Sequence, residues 1–194
     1  MNFEEIKNMR PVSMAIISIV WGFIGIYWIL NAGFSLFPLE FADRIDVVLI
    51  IPGSHIPNLL AITGDEITAN LILGIAGFGA LYNTYQFFFR FSDEKLSNMH
   101  LLNMMMIITY IIYGLLLLLE LTGIDIFTLF GDKLDESVFG KFGYFFDILA
   151  SVFFLVMFTN FKSQLKHGPV REYAEEIKKK NPRGNSGDRN YPMN

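Results

Sequence analysis

The stretch GYFFDILASVFFLVMFTNF, residues 143–161, decides the fold class because it has the length and character of a membrane-spanning helix. A helix needs about 20 mainly apolar residues to cross roughly 30 Å of hydrocarbon. This stretch has one charged residue, Asp147. It therefore predicts a transmembrane helix that carries a single acidic group into the bilayer.

Three further stretches share this character. Hydrophobic residues make up 53% of the 194 residues, and they are clustered rather than spread along the chain. Lipid offers backbone groups no partner outside a helix or a closed barrel. The sequence thus predicts an all-α integral membrane protein, a four-transmembrane-helix bundle covering residues 1–161, with helices at about 12–37, 67–89, 99–119 and 142–161.

The first of these helices is expected to stay in the mature protein. The apolar run from Val12 to Leu30 is longer than the roughly 7–15 residues of a signal-peptide core, and no clear small-residue cleavage site follows it. We interpret it as a signal anchor.

The basic residues predict the orientation. Twelve of the 15 Lys and Arg residues lie in the N-terminus, the 90–98 loop and the 162–194 tail, whereas the loops 38–66 and 120–141 hold three. Basic residues favour the cytoplasmic side. We therefore expect both termini in the cytoplasm (N-in/C-in), the loops 38–66 and 120–141 outside, and a location in the cell (plasma) membrane.

The connections predict how the helices are arranged. The 38–66 loop is expected to cover the bundle at the interface, with a re-entrant or ligand-contacting loop as the alternative. Its apolar run from Val47 to Ile51 is too short to span, and Pro52 and Pro57 interrupt any long helix. The short 90–98 loop predicts antiparallel neighbours, with Ser97 or Asn98 capping the third helix. Ser18 and Gly22, and Ala76 and Ala80, have the small-xxx-small spacing that permits close helix packing.

Residues 162–194 are predicted to form a basic cytoplasmic tail that is partly disordered. VREYAEEIKKK, residues 170–180, is expected to form a short polar helix after Pro169. The last 14 residues have a composition typical of a disordered end. Basic residues here fix the orientation and are also suited to attract anionic lipid.

Counting residues along the helices predicts a polar cluster inside the membrane. Asp147, Tyr113 and Asn31 each lie about 9–10 Å below the outer boundary at 1.5 Å per residue. Ser151 lies one turn deeper and Glu120 above. A buried carboxylate becomes protonated or gains donors and water. We expect either proton handling, metal binding or a polar ligand pocket, or a structural Asp that joins helices.

A second polar cluster is predicted toward the cytoplasm. It consists of Asn83, Gln86, His100 and Asn103. Polar and aromatic residues at this depth usually form an interfacial belt and helix contacts, so a binding site is the less favoured interpretation.

The residue inventory gives no catalytic motif. Cysteine is absent, which excludes disulfides and thiol catalysis in this chain. His55, His100 and His167 are dispersed, so no His-rich metal cluster is present and no metal ligands are assigned, and there is no Walker loop or GxSxG motif. The cofactor is left open, and no nucleic-acid partner is expected.

The function is accordingly predicted from architecture. The favoured hypothesis is an accessory or interaction subunit of a membrane complex, whose partners are the lipid bilayer and other membrane subunits or further copies of the chain. The alternative is a small proton-coupled transporter or ion-conducting oligomer that uses Asp147.

A family resemblance adds a further alternative. A long first outer loop followed by the glycine-bearing second helix in GDEITANLILGIAGFGALYN, residues 64–83, is similar to the DoxX-like membrane proteins. The resemblance covers architecture and hydropathy over residues 10–161. It implies a quinone-linked redox membrane protein and transfers no functional residues.

Overall fold

A computed structural model of the chain describes residues 10–36, 66–122 and 141–180. The regular structure within these ranges is entirely helical. In chain order the helices are α1 (Val12–Leu36), α2 (Glu66–Phe89), α3 (Asp93–Leu121), α4 (Lys141–His167) and α5 (Pro169–Lys180). The expectations for the two outer loops and for residues 181–194 lie outside the described residues.

Three of the described helical segments are long and apolar enough to cross a membrane. They are Val12–Gly33, Asp93–Leu119 and Phe146–Lys179, the last of which runs on from α4 into α5. Within the described residues this confirms a helical protein, with three helices that are compatible with a membrane protein. The α2 helix is not among these three segments of the described residues.

The α1 and α2 helices form the first antiparallel hairpin, and their backbones touch at two glycines. A Cβ atom at Gly77 would lie 2.7 Å from the carbonyl oxygen of Gly25, and a Cβ at Gly25 would lie 2.9 Å from the carbonyl oxygen of Gly77. Farther along, a Cβ at Gly74 would lie 2.9 Å from that of Ala32. Glycine is required at this crossing because any side chain would force the helices apart.

The α3 and α4 helices form the second antiparallel hairpin, which is held by aromatic packing. The ring of Tyr110 lies 5.4 Å from that of Phe154 and 5.9 Å from that of Phe158, measured between centroids. All three side chains are buried. Apolar residues at three- and four-residue spacing on each helix create this contact face.

Trp21 of α1 joins the two hairpins in the core. Its ring lies 5.8 Å from that of Phe158 of α4 and 6.4 Å from that of Trp28, both in edge-to-face geometry. Its indole nitrogen donates a hydrogen bond to the side-chain oxygen of Asn103 of α3. A single tryptophan thus contacts both helices of the second hairpin.

A three-residue turn at 90–92 connects the hairpins, and Ser92 caps α3. The backbone N–H of Lys95 donates to the hydroxyl oxygen of Ser92 at 3.4 Å, and Asp93 and Glu94 occupy the first helical turn. An N-cap serine followed by acidic residues stabilises a helix start. The α3 helix therefore begins six residues before the predicted start at residue 99, and neither Ser97 nor Asn98 is its cap.

The α5 helix packs back against the bundle. Val170, Tyr173 and Ala174 are buried, and the ring of Tyr173 lies 5.4 Å from that of Phe91 in the turn. The ammonium group of Lys178 lies 3.5 Å from a carboxylate oxygen of Asp93. Residues 169–180 thus form the expected helix, whose apolar face is covered by the ends of the other helices.

Candidate functional site

Asp147 lies on the buried face of α4, together with Ser151, Phe154 and Phe158. Its exposed fraction is 7%. Among the described residues, no hydrogen-bond donor reaches its Oδ1 atom, and no basic side chain forms an ion pair with it. A buried carboxylate oxygen without a donor is costly, so this group marks a place where a proton, a cation or a polar ligand would be favourable.

Ser151 is next to Asp147 but does not satisfy its carboxylate. The Ser151 hydroxyl donates to the backbone carbonyl oxygen of Asp147 at 2.7 Å. This bond is internal to α4 and follows the pattern of helical serines that donate to the carbonyl four residues earlier. The serine therefore stays tied to its own helix backbone.

The other members of the predicted outer cluster come from different helices. Asn31 of α1 and Tyr113 of α3 are both half-buried, and both side chains make interactions of their own. Tyr113 is three residues beyond Tyr110, whose ring packs on α4. Glu120 lies in the last turn of α3, and its side chain is outside the described residues.

The predicted cytoplasmic cluster is distributed over separate helix contacts. Asn103 is fully buried, donates to the backbone oxygen of Met99 at 2.6 Å and accepts from Trp21 at 3.3 Å. Asn83 donates to the backbone oxygen of Gly79 at 2.8 Å and accepts from Asn98 at 3.4 Å. Gln86 is buried in α2.

His100 has a different set of neighbours. It is half-buried on α3 and lies within electrostatic range of Lys162 and Lys166 of α4. Sequence reasoning assigned these two lysines to the tail. Antiparallel packing of α3 on α4 would have placed these lysines near His100, because it brings the start of one helix beside the end of the other.

Metal-ligating side chains do not converge in the described residues. No group of three or more His, Asp or Glu side chains in those ranges is arranged to hold a metal ion.

The comparisons with known proteins add no assignment, because no family model, curated protein or solved structure matches this chain. The DoxX-like resemblance accordingly remains an expectation from architecture.

The described arrangement therefore has two chemically distinct centres. One is the buried carboxylate oxygen of Asp147, Oδ1, which has no hydrogen-bond donor among the described residues. The other is the satisfied pair of Trp21 and Asn103, which joins helices.

Proposed function

We propose that the chain is a four-span membrane protein with both termini in the cytoplasm, and that it serves as an accessory or interaction subunit of a membrane complex. The fourth span is α2. Its support is the close contact of Gly25 with Gly77, because two antiparallel helices in backbone contact lie at the same depth. The outward side chains Leu71, Ile72 and Ile75 of α2 are as apolar as a lipid-facing helix requires.

The observation that carries the interaction role is an open notch on the outward face of α2. A Cβ atom at Gly79 would meet no atom within 4 Å. Ile75 and Tyr82, which lie one turn to either side, are 72% and 60% exposed. Large side chains around a small one create a shape that a neighbouring helix fills, and small residues let helices approach closely in lipid.

The notch is also bordered by one polar group, the hydroxyl of Tyr82. Tyr82 is seven residues from the end of α2, which is about 10 Å along the helix. A phenol hydroxyl at that depth gains a hydrogen bond from a partner helix but not from acyl chains. We infer that the α2 face is covered by another membrane subunit.

The test is gentle detergent purification from the native membrane followed by mass spectrometry. Gly79→Leu adds a side chain to the notch from a Cβ position that no atom approaches within 4 Å, and Gly22→Leu is the matched control because a Cβ at Gly22 also meets nothing within 4 Å. We expect stoichiometric partner subunits with the natural chain and with Gly22→Leu, and their loss with Gly79→Leu. Isolation of the natural chain as a monomer with no other protein would refute the proposal.

The second candidate function is proton or cation handling at Asp147. It is favoured by the donor-free Oδ1 atom of a carboxylate that is 7% exposed. We expect proteoliposomes to show a proton or cation flux that Asp147→Asn abolishes and Ser151→Ala retains. An equal flux with Asp147→Asn, or no flux with the natural chain, would remove this candidate.

A further inference from the structure

A basic cluster lies where α3 begins and α4 ends. The α3 and α4 helices run antiparallel with Tyr110 packed on Phe154 and Phe158, so His100, ten residues before Tyr110, lies beside the part of α4 that holds the two lysines. His100 is accordingly within electrostatic range of Lys162 and Lys166. The two lysines are four residues apart on α4, so they lie one above the other on the same side of that helix. One imidazole and two ammonium groups from two helices thus supply several hydrogen-bond donors to a small region.

Three acidic residues of α3 and α5 are paired with other cations. The described ion pairs are Lys178 with Asp93 at 3.5 Å, Lys95 with Glu94 at 3.3 Å and Arg171 with Glu175 at 3.1 Å. Within the described ranges, neither Lys162 nor Lys166 takes part in an ion pair. Their positive charge is therefore available to an anion from outside the chain.

The basic cluster also borders an apolar surface. Leu101 directly follows His100 and is 60% exposed, and Met105 one turn farther along α3 is 56% exposed. Both side chains lie on the face of α3 that meets hydrocarbon if this helix spans the membrane. A positive group at the end of an apolar face is complementary to an amphiphile with an anionic head. A free anion would contact the basic cluster but not the apolar side chains.

We propose that His100, Lys162 and Lys166 bind the phosphate headgroup of an anionic membrane lipid, whose hydrocarbon chain lies along the exposed apolar side chains of α3. Charge-assisted hydrogen bonds from imidazole and ammonium groups suit a phosphate. The site differs from general attraction of the tail to an anionic surface, because its three donors come from two packed helices. The proposal does not depend on the accessory role.

The test measures binding of phosphatidylglycerol and phosphatidylcholine to the purified full chain by native mass spectrometry. Lys162→Gln and Lys166→Gln each remove one charge from the cluster, and Lys179→Gln removes one from the exposed face of α5. We expect phosphatidylglycerol to bind in preference to phosphatidylcholine. Each cluster variant should weaken that binding about fivefold, with no change for Lys179→Gln.

Two results would overturn the proposal. An equal loss with Lys179→Gln would mean general charge attraction, and full competition by inorganic phosphate at the lipid's own concentration would mean a free-anion site. A second measurement does not rely on variants: a photoreactive phosphatidylglycerol added to the natural chain should crosslink to peptides that contain residues 96–105 or 159–167. Crosslinks confined to other peptides would also contradict the proposal.

Discussion

The indole nitrogen of Trp21 donates a hydrogen bond to the side-chain oxygen of Asn103 at 3.3 Å, across the boundary between the two helical hairpins. The Asn103 side chain is 0% exposed, and its amide nitrogen donates to the backbone oxygen of Met99. Both ends of this amide are therefore used. In an interior built from aromatic and aliphatic packing, this bond fixes how one hairpin sits on the other.

A double-mutant cycle measures this contact. Asn103→Leu leaves the Trp21 N–H without its acceptor, and we expect a loss of about 1–3 kcal/mol in the free energy of unfolding. Trp21→Phe removes the donor together with part of the packing. The coupling between the two changes should be about 0.6–1.7 kcal/mol in reversible unfolding from mixed micelles. Strict additivity would show that the bond contributes nothing.

The glycine crossing of α1 and α2 predicts a sharp difference between two alanine substitutions in one helix. Gly77→Ala places a methyl group 2.7 Å from the Gly25 carbonyl oxygen, so the hairpin must open, and we expect a loss of about 1–3 kcal/mol. Gly79→Ala meets no atom within 4 Å and should be neutral or stabilising by up to about 1 kcal/mol. Equal thermal midpoints for the two variants would contradict this crossing.

Asp147 predicts a gain in stability on its removal. Its Oδ1 atom is buried without a donor among the described residues, so Asp147→Leu should raise the free energy of unfolding by about 1–3 kcal/mol. Ser151→Ala should change it by less than about 1 kcal/mol, since that hydroxyl bonds within its own helix. If Asp147→Leu lowers the thermal midpoint, the carboxylate is held by a stabilising partner. That result would favour the interpretation of Asp147 as a structural residue that joins helices.

The α5 helix predicts a local rather than a global response. Tyr173 is 7% exposed and packs on Phe91, so Tyr173→Ala should cost about 3 kcal/mol and release α5 from the bundle. Amide hydrogen exchange should accelerate in residues 169–180 while the long helices keep their protection. The matched control is Glu176→Ala, an exposed position on the same helix. Unchanged exchange in the Tyr173 variant would show that α5 is not anchored by this contact.

The sequence was sufficient for the helices because apolar runs of about 20 residues have few alternatives in lipid. The short helix after Pro169 was also predictable, since Val170, Tyr173 and Ile177 recur at helical spacing within a charged segment. The predictions that were wrong concern which residues face a neighbouring helix, because this depends on how each helix is rotated about its axis. The spacing rule indicated Ser18 with Gly22, whereas the backbone contact uses Gly25, and Gly22 is open.

The polar residues show the same limit. Asn103 was recognised as a polar group inside a span, but its partner Trp21 is 82 residues away and lies on a helix that no local pattern connects to it. The lysines beside His100 were assigned to the tail because the apolar run ends at Phe161, whereas α4 continues to His167. Depth follows from counting residues, whereas side-chain direction depends on tertiary packing.

The central claim is that α2 crosses the membrane beside α1, so that the 38–65 segment and the 90–92 turn lie on opposite sides. The chain has no cysteine, so single cysteines introduced at Ser54, Glu94 and Lys179 can be labelled without background. In intact cells, a membrane-impermeant maleimide should label Ser54→Cys. It should label Glu94→Cys and Lys179→Cys only after the cells are permeabilised. Labelling of Ser54→Cys and Glu94→Cys from the same side would contradict the four-span account.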